Sequence, residues 1–151
     1  MRQGNRKAGI KAPTFAEMQS VPKIPKIGSA NPNTLNPKWS FKWIDIGAPW
    51  CWSQMESDAA QNVYPRLGGF ESMTWIQIQQ AELGHPIPKD DPDLLADAPK
   101  RLEEIGKGDY DLYSLRVTGA GRIWGIKVED LFYVLWWDPA HAVYPYKLKH
   151  T

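Results

Sequence analysis

Cysteine is almost absent from this chain: Cys51 is the only one in 151 residues. No intramolecular disulfide can form, which favours a reducing compartment such as the cytoplasm. Cys51 stands between Trp50 and Trp52, a setting that suits a buried, inert thiol better than a nucleophile. Histidine is scarce too. His85, His141 and His150 are far apart, and one thiol cannot complete a zinc cluster with them, so no metal is expected. No nucleotide cofactor is expected either, because the chain has no GxxxxGK[ST] loop. The GAG of TGAGR falls inside a hairpin pattern rather than between a strand and a helix. No apolar run approaches the roughly 20 residues of a membrane span, so no membrane partner is expected. The basic N-terminus has no apolar segment behind it, which argues against a secretory leader.

What is present is unevenly distributed. The net charge of +1 conceals a split. Residues 1–42 hold eight Lys/Arg and a single acid, Glu17, whereas the remainder holds ten Lys/Arg against sixteen acids. A basic arm of this kind either attracts phosphate backbones or simply stays solvated. Pro13, Pro22, Pro25, Pro32 and Pro37 interrupt regular structure across residues 1–37. We read 1–37 as a basic, proline-rich arm, with a short helix at Thr14–Ser20, and 38–151 as a single domain.

Within that domain, WSFKWIDI alternates as a strand, with Trp39, Phe41 and Trp43 on one face. GAPWCWSQM reads as a loop. Residues 57–73 read as a helix that Pro65 and Gly68-Gly69 should break or shorten. A second helix is expected over 74–83 with Thr74 as its cap, then a loop through GHPIPKDDP. A third helix is expected over 93–105, carrying Leu94, Leu95, Ala98, Leu102 and Ile105 at helical spacing and ending at Gly106. Three strands follow. Residues 111–118 alternate Tyr113, Leu115 and Val117 against Leu112, Ser114 and Arg116. Residues 122–128 lie across the TGAG turn. Residues 131–137 are apolar on both faces, as in a covered central strand, and end before Pro139. The predicted fold class is α+β: helices on one face of a small antiparallel sheet, in the order β-α-α-α-β-β-β.

Chemistry-bearing residues cluster near the end of this pattern. Arg116 and Arg122 flank the TGAG turn, where two guanidinium groups either bracket an anion or face water and acids such as Glu103 and Glu104. DPAHAVYP places Asp138, His141 and Tyr144 just past the last strand. This is either a site borne by an irregular segment or an Asp-Pro capping turn. Tyr113, Trp124 and Tyr133 suit either nucleobase stacking or the core.

The run SLRVTGAGRIWGIKVEDLFYVLWWDPAHAVY resembles the C-terminal part of the RelE/ParE toxin superfamily, most closely its YoeB-like branch, over roughly a third of the chain. The shared features are a strand, a Thr-containing turn, an Arg opening the next strand, an apolar last strand, and a His and a Tyr beyond it. The resemblance implies a RelE-like fold and a metal-independent endoribonuclease, a toxin that cleaves mRNA, in some cases on the ribosome, and is restrained by an antitoxin. It implies that Arg122 stabilises the phosphate, that His141 is the acid, that Glu103 or Glu104 is the base, and that Tyr144 orients the nucleotide. Arg116, Lys127 and Lys147 would contact nucleic acid. The alternative is a non-catalytic module of the same fold that binds protein or nucleic acid, or an accessory protein of a mobile element that works through its arm.

Overall fold

The computed structural model describes residues 31–145. The expected helix at 14–20, most of the arm, Lys147 and His150 lie outside these residues. In order, the described chain forms β1 (Lys38–Ser40), α1 (Ser57–Phe70), α2 (Trp75–Gln80), β2 (Gly84–Ile87), α3 (Asp97–Glu104), β3 (Leu112–Arg116), β4 (Arg122–Val128) and β5 (Leu131–Asp138). The strands make one five-stranded sheet in the order β1-β5-β4-β3-β2. The α+β class holds, but three features differ from the expected architecture. β1 runs parallel to β5, so the sheet is mixed. GHPI, expected as loop, is an additional edge strand antiparallel to β3. Helices cover both sheet faces rather than one: α1 and α2 supply the core on one side, α3 on the other.

Each difference has a local cause. Pro86 has no N–H for a ladder, yet an edge strand needs donors on one side only, so GHPI pairs with β3 despite its proline. Pro65 lies inside α1 and Gly68 and Gly69 are in its last turn, but the helix continues to Phe70. Val63, Leu67 and Phe70 recur on one buried face, and Pro65 faces solvent, where water can serve the carbonyl left without its partner. α2 is shorter than expected, but Thr74 caps it as predicted. The Thr74 Oγ1 accepts from Gln77 N–H (3.2 Å), and Gln77 Oε1 accepts from Thr74 N–H (2.9 Å). α3 begins later than expected because Asp91 first folds the chain into a turn, accepting the Asp93 N–H at 2.8 Å. It ends where Gly106 takes a φ of +75°.

β1 stops after Ser40, so the expected alternation of Trp39, Phe41 and Trp43 is broken. Trp39 packs edge-on against Trp75 and Phe132, whereas Trp43 stacks on Tyr133 at 3.6 Å beside the opposite core. Residues 31–37, read from sequence as the end of the arm, contact the body: Leu35 O accepts from Trp75 N–H (3.0 Å) and Asn36 donates to Glu71 O (2.8 Å).

The interior strands follow the pattern read from their residues. Tyr113, Leu115 and Val117 face the α1–α2 core, and Leu112 faces the α3 core. β5 is apolar on both sides because both faces of the sheet are covered. Between Trp124 and Gly125 the β4–β5 register shifts: Trp136 opposes Trp124, while Val134 opposes Gly125. Leu135 is the extra residue of this bulge, and its carbonyl accepts the Asp45 N–H (3.2 Å). A Cβ at Gly125 would collide with the Tyr133 carbonyl and come within 2.6 Å of the Phe132 ring, so only glycine fits there.

A buried carboxylate joins the α3 layer to the sheet. Asp45 receives Arg101 Nε (2.8 Å) and Nη2 (2.7 Å), Trp136 Nε1 (2.9 Å) and the Gly47 N–H (3.1 Å). Burial alone would raise its pKa, but these donors together hold it below the usual carboxylate value. The stability it confers is therefore complete above the ordinary value of 3.8 and lost as pH falls through its lower folded value. Chemical denaturation across the acid range should show a shallower decline for Asp45→Asn than for the wild type; parallel declines would exclude this role. Leu135→Ala should cost about 2–5 kcal/mol, because Leu135 is fully buried in an interior strand. An equilibrium loss below about 1 kcal/mol would contradict the packing of the bulge.

Candidate functional site

On the α3 side of the sheet, cross-strand pairing sets up two rows of residues. His85, Ser114, Trp124 and Trp136 oppose one another across β2, β3, β4 and β5. Arg116, Arg122 and Asp138 form the adjacent row. A cleft of about 560 Å³ opens over these rows. Its floor includes Ser114, Trp124 and Arg122, and β2 contributes His85, Pro86 and Ile87 to one wall. Asp91 and Asp93, from the turn before α3, and His141, Tyr144 and Pro145, from the segment after β5, complete it.

The segment after β5 is held by Asp138, which is fully buried. Its Oδ1 accepts the Ala142 N–H (2.8 Å), and its Oδ2 accepts the Val143 N–H (2.9 Å) and Trp124 Nε1 (3.2 Å). The Asp-Pro turn is thus a cap, as one of the two sequence readings had it, and this cap places His141 in the cleft. His141 adopts a φ of +59°, a left-handed conformation that a non-glycine residue enters only when its surroundings impose it. Val143 O also accepts the Leu95 N–H (2.9 Å), and Tyr144 Oη donates to Asp91 Oδ2 (3.2 Å). The segment is therefore fastened at both ends.

Arg122 opens β4 and is largely buried, as is His141, yet both line the cleft. Arg122 Nη1 donates to the carbonyls of Gly121 (3.1 Å), Gly119 (3.2 Å) and Thr118 (3.4 Å), which binds the guanidinium to its own turn. Thr118 Oγ1 accepts the Gly121 N–H (2.7 Å) and tightens that turn further. Burial first, and the positive charge of Arg122 second, hold the His141 pKa below its ordinary value of 6.5. The imidazole is uncharged at neutral pH.

Arg122, His141 and Tyr144 thus meet in one cleft, and the other predicted residues within the described range, Glu103, Glu104, Arg116 and Lys127, do not join them. Glu104 pairs with Arg101 (3.1 Å) in the Asp45 network, and the Glu103 side chain lies against Gly108. Neither lines the cleft, because their helix packs its Ala98–Leu102 face on the sheet and turns these acids away. Arg116 is exposed beside Arg122 but outside the cleft lining. Lys127 belongs to the opposite face, with its Nζ on Asn33 Oδ1 (3.1 Å) and over the Trp75 ring. Burial lowers its pKa, with Asp130 acting against that shift. Tyr113 and Trp124 are core residues, and Tyr133 is already covered by Trp43. Cys51 is buried, 2.9 Å from the Ser53 hydroxyl.

Sequence reasoning missed His85, Asp91 and Asp93. His85 and Asp91 fell in a stretch read as loop and Asp93 at the start of the expected third helix; the β2–β3 pairing carries His85 to the cleft, and the turn before α3 carries Asp91 and Asp93. Among the described residues no His, Cys, Asp and Glu group gathers to hold a metal ion, and no helix is long and apolar enough to cross a membrane. Comparison with protein-family models, with curated proteins and with solved structures yields no match to the chain.

The cap on the last strand makes a direct prediction. Asp138→Ala leaves buried donors without an acceptor and should cost about 2–5 kcal/mol in denaturant titration. Asp138→Asn, which keeps one acceptor oxygen, should lose less. Equal stability of Asp138→Ala and wild type would show that the turn forms without the carboxylate.

Proposed function

We propose that this protein is a metal-independent endoribonuclease of the RelE/ParE toxin type. The observation that supports this reading best is the convergence of Arg122, His141 and Tyr144, from β4 and the segment beyond β5, on one cleft. The cleft volume falls in the range of small-ligand sites and suits a nucleotide unit of a single-stranded RNA. In the proposed reaction the ribose 2′-oxygen attacks the adjacent phosphorus in line. The 2′-O–P bond forms, the P–O5′ bond breaks, and the products are a 2′,3′-cyclic phosphate and a free 5′-hydroxyl.

The charge states in the cleft distribute the roles. Arg122 faces the negative charge that grows on the phosphoryl oxygens, and its anchorage to three turn carbonyls fixes it in advance of the substrate. An uncharged imidazole accepts a proton, so His141 fits the base that takes the 2′-hydroxyl proton better than the acid role implied by the resemblance. It also replaces Glu103 and Glu104 in that role. Tyr144, tied to Asp91, borders the nucleotide. Target mRNA, action on the ribosome and an antitoxin partner belong to the same proposal.

The alternative, a non-catalytic binding module, draws on one specific observation: Arg122 Nη1 is already occupied by its own turn, as a structural arginine would be. Cleavage of a short single-stranded RNA in the presence of a chelator separates the two. The wild type should release a 2′,3′-cyclic phosphate end. Arg122→Ala should lower kcat/KM by about 2–4 kcal/mol of transition-state stabilisation, with Arg122→Lys, which keeps the charge, losing less. The acid limb of the pH–rate profile should lie below 6.5, since the base form of His141 is lost only as pH falls through its lowered value, and His141→Gln should abolish that limb. Absence of cleavage by the folded wild type, or full activity of His141→Gln, would exclude the catalytic reading.

A further inference from the structure

In-line attack at phosphorus needs two proton carriers, one to receive the 2′-hydroxyl proton and one to supply a proton to the departing O5′. With Glu103 and Glu104 outside the cleft, the second carrier must come from elsewhere. Two carboxylates and a second imidazole border the same space. Asp91 is occupied as an acceptor: its Oδ1 takes the Asp93 N–H at 2.8 Å and its Oδ2 takes the Tyr144 hydroxyl at 3.2 Å. Both of its oxygens are thus already engaged by groups of the protein.

His85 differs in kind. It stands on β2 in the cross-strand row with Ser114 and Trp124, on the sheet face that carries Arg122. Its side chain is exposed at the cleft, open to a substrate and to exchange with water. His85 Nε2–H donates to the Glu82 carbonyl at 3.2 Å, because a carbonyl oxygen can only accept. Glu82 has a φ of +60°, part of the turn that leads from α2 into β2. A backbone carbonyl on one ring nitrogen fixes the imidazole and leaves Nδ1 to exchange the proton. β2 and β4 are separated by one strand, so the backbones of His85 and Trp124 lie roughly 10 Å apart. His85, on the edge strand, therefore lines the same cleft as Arg122 and His141 from another strand of the sheet.

Resting on the nuclease reading above, we propose that His85 is a catalytic residue, the general acid that protonates the leaving 5′-oxygen, paired across the cleft with His141 as base. The 2′-hydroxyl proton passes to His141 as the 2′-O–P bond forms. The Nδ1 proton of the His85 imidazolium passes to O5′ as the P–O5′ bond breaks. One imidazole gains a proton and the other loses one, and exchange with water restores both.

The test uses two substrates with the full-length protein. One is a ribodinucleotide, whose alkoxide leaving group needs protonation. The other is a uridine 3′-(4-nitrophenyl) phosphate, whose nitrophenolate leaves without it. His85→Gln should slow dinucleotide cleavage by about 10²–10⁴-fold and leave the nitrophenyl ester cleaved at close to the wild-type rate. His141→Gln should slow both. A His85→Gln protein that loses both substrates equally, or neither, overturns the acid assignment while leaving the nuclease reading intact. A wild type inactive on both substrates overturns the nuclease reading, and this assignment with it. Thermal unfolding of His85→Gln, expected to match the wild type because the side chain is exposed, guards against a loss by misfolding. Should it unfold, His85→Asn on the same two substrates decides.

Discussion

The Asp138 carboxylate is the interaction on which the site depends. It is fully buried at the end of an interior strand and receives an indole N–H from the neighbouring strand and two backbone amides from the segment beyond. A buried charge is tolerated only when its hydrogen-bonding capacity is filled. The chain after Pro139 must therefore curl back over Trp124. That curl drives His141 into a left-handed backbone and lays its ring beside Arg122. The same segment is also tied to the chain before α3 by the Val143–Leu95 and Tyr144–Asp91 hydrogen bonds, and Val143 is buried.

A second buried carboxylate, Asp45, does comparable work at another place. It gathers Arg101, Trp136 and Gly47, and so fastens α3 to the sheet and the β1–α1 connection to the bulge in β5. The two carboxylates divide the acidic and basic residues of the domain into different tasks. Glu104 is drawn into the Asp45–Arg101 network, whereas Arg122 is held by its own turn at the cleft. The acids that border the cleft come instead from the turn before α3. The chemistry proposed for the cleft follows from this division, because a low-pKa imidazole beside a fixed guanidinium is a proton acceptor near a phosphate-binding cation.

Much of the meander was legible in the residues. Period-two alternation in 112–117, the Gly-containing turn at 118–121 and the doubly apolar run at 131–137 report the side of the sheet each residue faces, and the structure keeps those assignments. The Thr74 cap and the Gly106 stop were legible for the same reason: both are local, and the chain a few residues away completes them. The course of α1 through Pro65 was not, because local propensity speaks for breaking the helix while the burial of Val63, Leu67 and Phe70 by the sheet outweighs it.

The order of the residues was enough to show that Arg122 opens a strand, that His141 lies beyond the last one, and that no intramolecular disulfide can form, since these depend only on neighbours along the chain and on composition. Tertiary structure alone decided that GHPI is a strand and that β1 lies parallel to β5. It also decided that Glu103 and Glu104 turn away while His85, Asp91 and Asp93 reach the cleft. The physical reason is the same in each case. A short edge strand is stabilised by the partner that supplies its hydrogen bonds, and a polar side chain finds its place from charges tens of residues away. Neither leaves a periodic trace in the order of the amino acids.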